Sequence, residues 1–459
     1  MNQAYKTIVV GAGGGGLASA FLANLRGEEV TLIEAHSQIG GCASWFRRGQ
    51  FIFDVGATTL SGVVSAGPLD ELFKKMGASP KLVKADPGIT FHLTDGKVIH
   101  YYADHDSWMR ELEKHFPDLE HRSFWNLVYR LNSKSWQMLH EIPFEFSKLV
   151  QRPHYWHLGL YLSISTEVML KYYGLDHPSY LELINGILLI SAQAHSESIP
   201  FLVGAMALAY PSETYAPLGG MKGLMDFFEN QLNQKGILLK KNKKVKSILG
   251  NELVLNNGEK IVADKIIANI PVWNLAEMTS GKLQKQFVRE SSSRPEAWGA
   301  FTLYFGIKGN FSELYQQVHL KNSQIKNYFV SFSIPNDELR APRNYQSVTI
   351  STHLRVNERI DKNEIAEVIL RDFKQRFQIE ELIHLTIGTP KTFERYTLRK
   401  SGFVGGLPLL YGQNPFSIFS PLTTESLFYR VGDTVFPGQG LCGVVAGALQ
   451  LDKMIRDRK

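Results

Sequence analysis

Near the amino end, Val9-Val10-Gly11-Ala12-Gly13-Gly14-Gly15-Gly16-Leu17 sets glycines at the spacing G-x-G-x-x-G, and Glu34 follows about twenty residues later. The chemistry such spacing serves is the gripping of a dinucleotide pyrophosphate by bare main chain. Gly11 permits a tight turn, Gly13 lets backbone approach the anion, and Gly16 lets a helix pack against a strand. The helix that follows the glycines aims the unpaired N–H groups of its amino end at negative charge. Glu34, with Ala35 beside it, stands where a carboxylate accepts hydrogen bonds from ribose hydroxyls. Taken alone, the spacing also fits a glycine-rich structural turn. The β-branched run before it, the apolar helix after it and the distant acid favour the dinucleotide, without separating FAD from NAD.

These residues need elements to position them. Thr7 to Val10 reads as a strand, Leu17 to Arg26 as a helix and Val30 to Glu34 as a second strand, which is half of a doubly wound sheet. Pro68 to Met76 and Ser107 to Phe116 have helical spacing, and Phe124 to Leu208 is helix-rich and aromatic. Leu224 to Leu232 predicts a helix after Gly219, Gly220 and Gly223, and Gly236 to Leu239 opens a strand series through Ile261 with a hairpin turn at Asn257-Gly258. Trp298 to Ile307 and Val348 to His353 read as strands of a separate sheet. The fold class expected is α/β, a Rossmann-like dinucleotide-binding domain joined to a discontinuous α+β substrate-binding domain. Residues 1–75, 215–285 and 415–459 are assigned to the first, and 76–214 and 286–414 to the second.

Composition sets the outer bounds. A chain of 459 residues, 44% hydrophobic and 20% charged, can bury a sizeable core across two connected domains. Lys and Arg exceed Asp and Glu by 50 to 44, a small excess that does not point to a nucleic-acid partner. Cys42 and Cys442 are the only cysteines and lack metal-ligand spacing, so neither a disulfide framework nor a metal site is expected. The apolar run Ile8 to Leu25 is interrupted by glycines and reads as strand, turn and helix rather than a signal peptide. A cytoplasmic location is expected, with membrane association left open.

Beyond Glu34 the sequence continues with Ile39-Gly40-Gly41-Cys42-Ala43-Ser44 and Phe53-Asp54-Val55-Gly56-Ala57, and it closes with Arg430-Val431-Gly432-Asp433-Thr434-Val435-Phe436-Pro437-Gly438-Gln439-Gly440 and Gly443-Val444-Val445. Between them stand Pro217-Leu218-Gly219-Gly220-Met221 and Gly388-Thr389-Pro390-Lys391-Thr392-Phe393-Glu394-Arg395-Tyr396-Thr397. In this order the motifs resemble the flavin-dependent phytoene desaturase, carotenoid isomerase and retinol saturase family, within the flavin amine oxidase-like superfamily. The resemblance implies FAD. It implies that Glu34 binds the adenosine ribose, that Gly40 and Gly41 support the pyrophosphate region, and that the strand of Val245 contacts the adenine side through its backbone. It further implies that Asp433 meets the sugar-phosphate arm and that the helix beginning near Gly443, with Val444 and Val445, points its amino end at the flavin ring. A helix amino end suits the negative charge that reduced flavin gathers. Many members carry Arg where this chain has Cys42, which removes a cation near phosphate; Cys42 reads as a small packing residue.

The resemblance also implies a long, apolar polyene or isoprenoid substrate. Tyr155 to Leu170 is rich in aromatic and aliphatic residues and flanked by Lys148, Arg152 and Lys171, as a helix lining a tunnel or lying in a membrane interface would be. An ordinary buried helix fits it equally well. His154, His157 and Glu167 make it too polar to span a bilayer, so peripheral contact is the expectation. Hydride exchange with a flavin asks little of side chains, so no catalytic acid or base is assigned, and His195, Glu197, Glu394, Arg395 and Tyr396 are read as structural. Desaturation, cis/trans isomerisation and saturation stay open. The alternatives are an amine oxidase-like enzyme with a smaller substrate and a flavin- or lipid-binding carrier without turnover.

Overall fold

The computed structural model describes residues 6–292, 298–355, 361–414, 416 and 420–458. β1 (Lys6–Val10), α1 (Gly14–Leu25) and β2 (Glu29–Ile33) form the opening unit. The period of two along β1 sends its side chains to opposite faces: Val9 packs in one core with Leu17 and Phe21, while Ile8 and Val10 pack in another with Val272 and Leu275. A strand covered on both faces reads as an unbroken β-branched run, as Thr7 to Val10 does.

Among the described residues, β1 and β2 belong to a five-stranded parallel sheet in the order Phe428–Arg430, Lys265–Ala268, β1, β2, Leu238–Lys240. An antiparallel trio, Val245–Leu249, Glu252–Leu255 and Lys260–Val262, folds beside it around the turn at Asn257 and Gly258. A separate seven-stranded sheet runs Ile383–Gly388, Trp298–Lys308, Tyr345–Arg355, Asn327–Phe332, Tyr315–His319, Ile89–His92, Val98–Tyr101. Helices Arg122–Glu141, Pro178–Ala192 and Phe201–Ala209 supply much of a third core, with Trp125 donating to the Tyr180 hydroxyl at 2.9 Å.

Buried charge ties the parallel sheet together. Glu28 accepts from Thr7 Oγ1 at 2.6 Å, Arg26 Nε at 2.9 Å and Lys265 Nζ at 2.6 Å, and Arg26 also meets Asp452 of the last helix. Burial alone would raise the Glu28 carboxyl, but the hydrogen bonds from Arg26, Lys265 and Thr7 outweigh it and hold it at about 2.

Three local expectations are revised. α1 begins at Gly14 rather than Leu17, although glycine disfavours helix by about 1 kcal/mol per residue. Full burial of Leu17 and Phe21, each on the order of 1.5–3 kcal/mol, offsets that cost. The last helix begins at Gly440, one turn before Gly443, and runs to Arg456. Tyr155 to Leu170 is not one helix: Trp156–Leu160 and Thr166–Tyr172 are separate, and Ser165 starts the second by accepting from the Val168 N–H at 3.3 Å.

Candidate functional site

A cavity of about 1660 Å³ opens where β1, β2 and the strand Lys265–Ala268 end and α1 and the last helix begin. At its floor, the Gly11 N–H donates to Ile33 O at 2.8 Å and the Asn269 N–H to Val10 O at 2.8 Å, binding three strand ends together. The glycines are required by contact. A Cβ on Gly16 would lie 1.9 Å from Gly11 O, and one on Gly13 would lie 2.9 Å from the Asn269 amide nitrogen. Gly11 also has φ of 91°, which L side chains rarely adopt.

Glu34 is buried, and both its oxygens already serve the turn: Oε2 accepts from the Ala12 N–H at 2.7 Å and Oε1 from the His36 N–H at 2.9 Å. A carboxylate offers about four acceptor positions, so capacity for two ribose hydroxyls remains. Gly40 pairs with Gly13 and donates to Ala12 O at 2.8 Å, bringing the Gly40–Cys42 turn against the start of α1. From the other side, a Cβ on Gly15 would stand 3.3 Å from the Gly432 N–H nitrogen, which brings Gly432 and Asp433 to the same turn.

Gly11, Gly13, Gly14, Glu34, Ala35, Gly40, Gly41, Cys42, Val245, Gly432, Asp433, Gly443 and Val444 all line this cavity. Gly16 lies just beneath it as a packing residue, and Val445 is fully buried in the core cluster that holds Leu17 and Phe21. Burial pushes the Cys42 thiol up, and the Cys442 thiol up to about 12, so neither is a ready thiolate. Glu394, Arg395 and Tyr396 lie at the cavity wall, whereas His195 and Glu197 are not among its lining residues.

A dinucleotide fits this lining. Gly13 precedes α1 and Gln439 precedes the last helix, and neither side chain caps its helix. The Gln439 amide instead donates to Ser191 O at 3.0 Å. Asp104, Ser165 and Asp361, by contrast, cap helices away from the cavity. Two helix amino ends thus keep unspent N–H groups facing one space, which suits an anion at one and a polarised ring edge at the other.

The cavity extends into a chamber walled by Trp136, Ile190, Ile199, Val203, Met206 and Phe329, with polar groups among them. The buried Gln193 amide lies 3.1 Å from His353 Nε2, and burial holds the His353 imidazole down at about 4, so it is neutral at neutral pH. Tyr210 Oη pairs with Thr59 Oγ1 at 2.5 Å, and burial pushes the neighbouring Glu213 carboxyl up. Sequence reading did not single out Asn269, Gln193, His353, Glu213 or Arg399. Of these, only Asn269 carried a signal, since it directly follows the strand Lys265–Ala268 of the parallel sheet.

The family described as flavin containing amine oxidoreductase matches residues 15–406. Prolycopene isomerase 2, chloroplastic, of an Oncidium hybrid cultivar is 26% identical, covering 96% of this chain and 82% of the isomerase. The neurosporene-forming phytoene desaturase of Rhodobacter capsulatus is 22% identical, covering 98% of this chain and 94% of the desaturase. Among solved structures, an oxidoreductase from Methanosarcina mazei superposes with a TM-score of 0.69 at 18% identity, covering 97% of this chain and 99% of that one.

Proposed function

The chain belongs to the flavin containing amine oxidoreductase family, and from that premise we propose that its cavity holds FAD at the glycine cradle and a long polyene or isoprenoid in the chamber beyond. It is an FAD-dependent oxidoreductase of the carotenoid desaturase and isomerase type, acting by desaturation or cis/trans isomerisation. One observation carries the substrate reading. At about 1660 Å³ the cavity exceeds the roughly 300–1,000 Å³ of an ordinary small-molecule site, and its lining runs from the glycine cradle to the apolar Ile190, Ile199, Val203 and Met206.

The residues divide the work. Gly11, Gly13 and Gly14 hold the pyrophosphate by main chain, Glu34 and Ala35 the ribose, and the strand of Val245 the adenine side. Gly40, Gly41, Gly432 and Asp433 close over the sugar-phosphate arm, and the helix from Gly440, with Gly443 and Val444 at its first turns, meets the ring. FAD, when bound, supplies reversible two-electron exchange. The chamber walls align the hydrocarbon and exclude water, so no residue is required to move a proton to a carbon. Residues 1–75, 215–285 and 415–459, which supply the five-stranded sheet, form the FAD-binding domain, and 76–214 with 286–414, which supply the seven-stranded sheet, form the substrate-binding domain.

Entry from a lipid surface accounts for an exposed apolar patch. Phe146, Val150, Trp156, Leu160 and Tyr172 are exposed, with Lys148, Arg152 and Lys171 among them. The Leu202 N–H donates to Tyr161 O at 3.0 Å, so this patch abuts the helix whose Val203 and Met206 wall the chamber. Apolar side chains interleaved with cations suit the headgroup boundary. Among the described residues, no helix is long and apolar enough to cross a membrane.

The test is to incubate the purified flavoprotein with cis-configured and saturated polyene precursors, under air and as the anaerobic reduced form. Product is identified by mass and absorption. Unchanged mass with shifted absorption identifies isomerisation, and loss of hydrogen identifies desaturation. Absence of product in both conditions overturns the reading.

A further inference from the structure

Arg399 is buried in the wall of the cavity, and neither motif reading nor the glycine cradle accounts for it. Its Nη2 lies 2.9 Å from Asp433 Oδ2 and its Nη1 3.3 Å from Asp433 Oδ1, and its Nε donates to Phe403 O. The Nη2 contact has the separation of an ion pair without the alignment of a hydrogen bond, so donor capacity on that nitrogen is unspent. Arg399 and the Gly40–Cys42 turn line the same cavity. That turn and Gly432-Asp433 both press on the first turn of α1, so the cation stands where the three segments converge.

Electrostatics gives this convergence a purpose. Asp433 brings a carboxylate close to the place where the proposed cofactor puts its doubly charged pyrophosphate, and two anions in a partly dehydrated site repel. We infer that Arg399 is the cofactor-positioning cation of this cavity, neutralising Asp433 and offering its unspent N–H capacity to the dinucleotide's phosphates. It does from position 399 what the uncharged Cys42, in the turn next to α1, cannot do. The inference rests on the FAD reading, because it requires a pyrophosphate at that cradle.

The experiment strips FAD from the protein and titrates the apoprotein with FAD and with riboflavin, which lacks phosphate, following flavin fluorescence. Arg399→Met is expected to weaken FAD binding by about tenfold or more and to leave riboflavin binding within about twofold. Arg399→Lys retains most of the FAD affinity, and Arg399→Met with Asp433→Asn regains part of it, since the repelling carboxylate is gone. Equal FAD affinity in wild type and Arg399→Met, or parallel loss of FAD and riboflavin, overturns the inference. If Arg399→Met fails to fold, Arg399→Gln takes its place: FAD affinity must fall while riboflavin affinity does not, and equality for both overturns the inference. A wild-type protein that takes up no FAD removes the cofactor reading itself, an outcome distinct from the others.

Discussion

Around Gly13 the cavity wall is main chain, and around Val203 it is side chain. In the first region single atoms are fixed: a Cβ on Gly16 would meet a carbonyl oxygen at 1.9 Å, and Glu34 spends one bond on the Ala12 N–H and one on the His36 N–H. In the second, Ile190, Ile199, Val203 and Met206 present interchangeable apolar surface, and such surface tolerates volume-conserving exchange. Under the proposed function, a charged cofactor is recognised by positions that forbid alternatives, and a long hydrocarbon by volume.

The contrast breaks first at glycine. Gly16→Ala is expected to lose FAD by roughly a hundredfold or to accumulate as insoluble protein, because the intruding methyl meets backbone that cannot yield. Gly159→Ala, in a short helix with nothing within 4 Å, is expected to keep full FAD content and stability within about 1 kcal/mol. Comparable flavin content in the two purified variants would erase the distinction.

The next effect concerns stability. Folded Glu28 titrates at about 2, below the ordinary carboxyl value near about 4.3, so its ionised form stabilises the fold above that ordinary value. The contribution is lost as pH falls from about 4.3 through about 2. Glu28→Gln leaves Arg26 and Lys265 facing a neutral amide and is expected to cost about 3–5 kcal/mol at neutral pH. Denaturant melts at pH 7 and pH 3 would show the variant's deficit shrinking with acid; a deficit that is constant or grows contradicts the assignment.

The smallest effect is expected on the outer surface of the apolar region. Trp156→Ser with Leu160→Ser should change stability by no more than about 0.5 kcal/mol per site, as exposed positions do. Sedimentation with anionic phosphatidylglycerol vesicles should nevertheless fall severalfold while FAD content is unchanged. Undiminished vesicle binding would show that the patch is not the lipid contact.

The amino-acid sequence determined what depends on neighbours along the chain. β1, the hairpin turn at Asn257-Gly258 and the helix Pro68–Met76 were legible from alternation, turn chemistry and helical spacing, and the glycine spacing marked the turn between β1 and α1. Local signals misjudged the starts of α1 and the last helix, because burial there overrides glycine's poor propensity. They also made one helix of Tyr155 to Leu170, since apolar spacing persists across the break before Ser165. Tertiary structure alone decided that Asn269 locks the cradle, that Gln193 faces His353, and that Arg399 stands beside Asp433. These partners come from separate strands, helices and loops, and no periodicity along a chain encodes which of its distant segments will meet across a cavity.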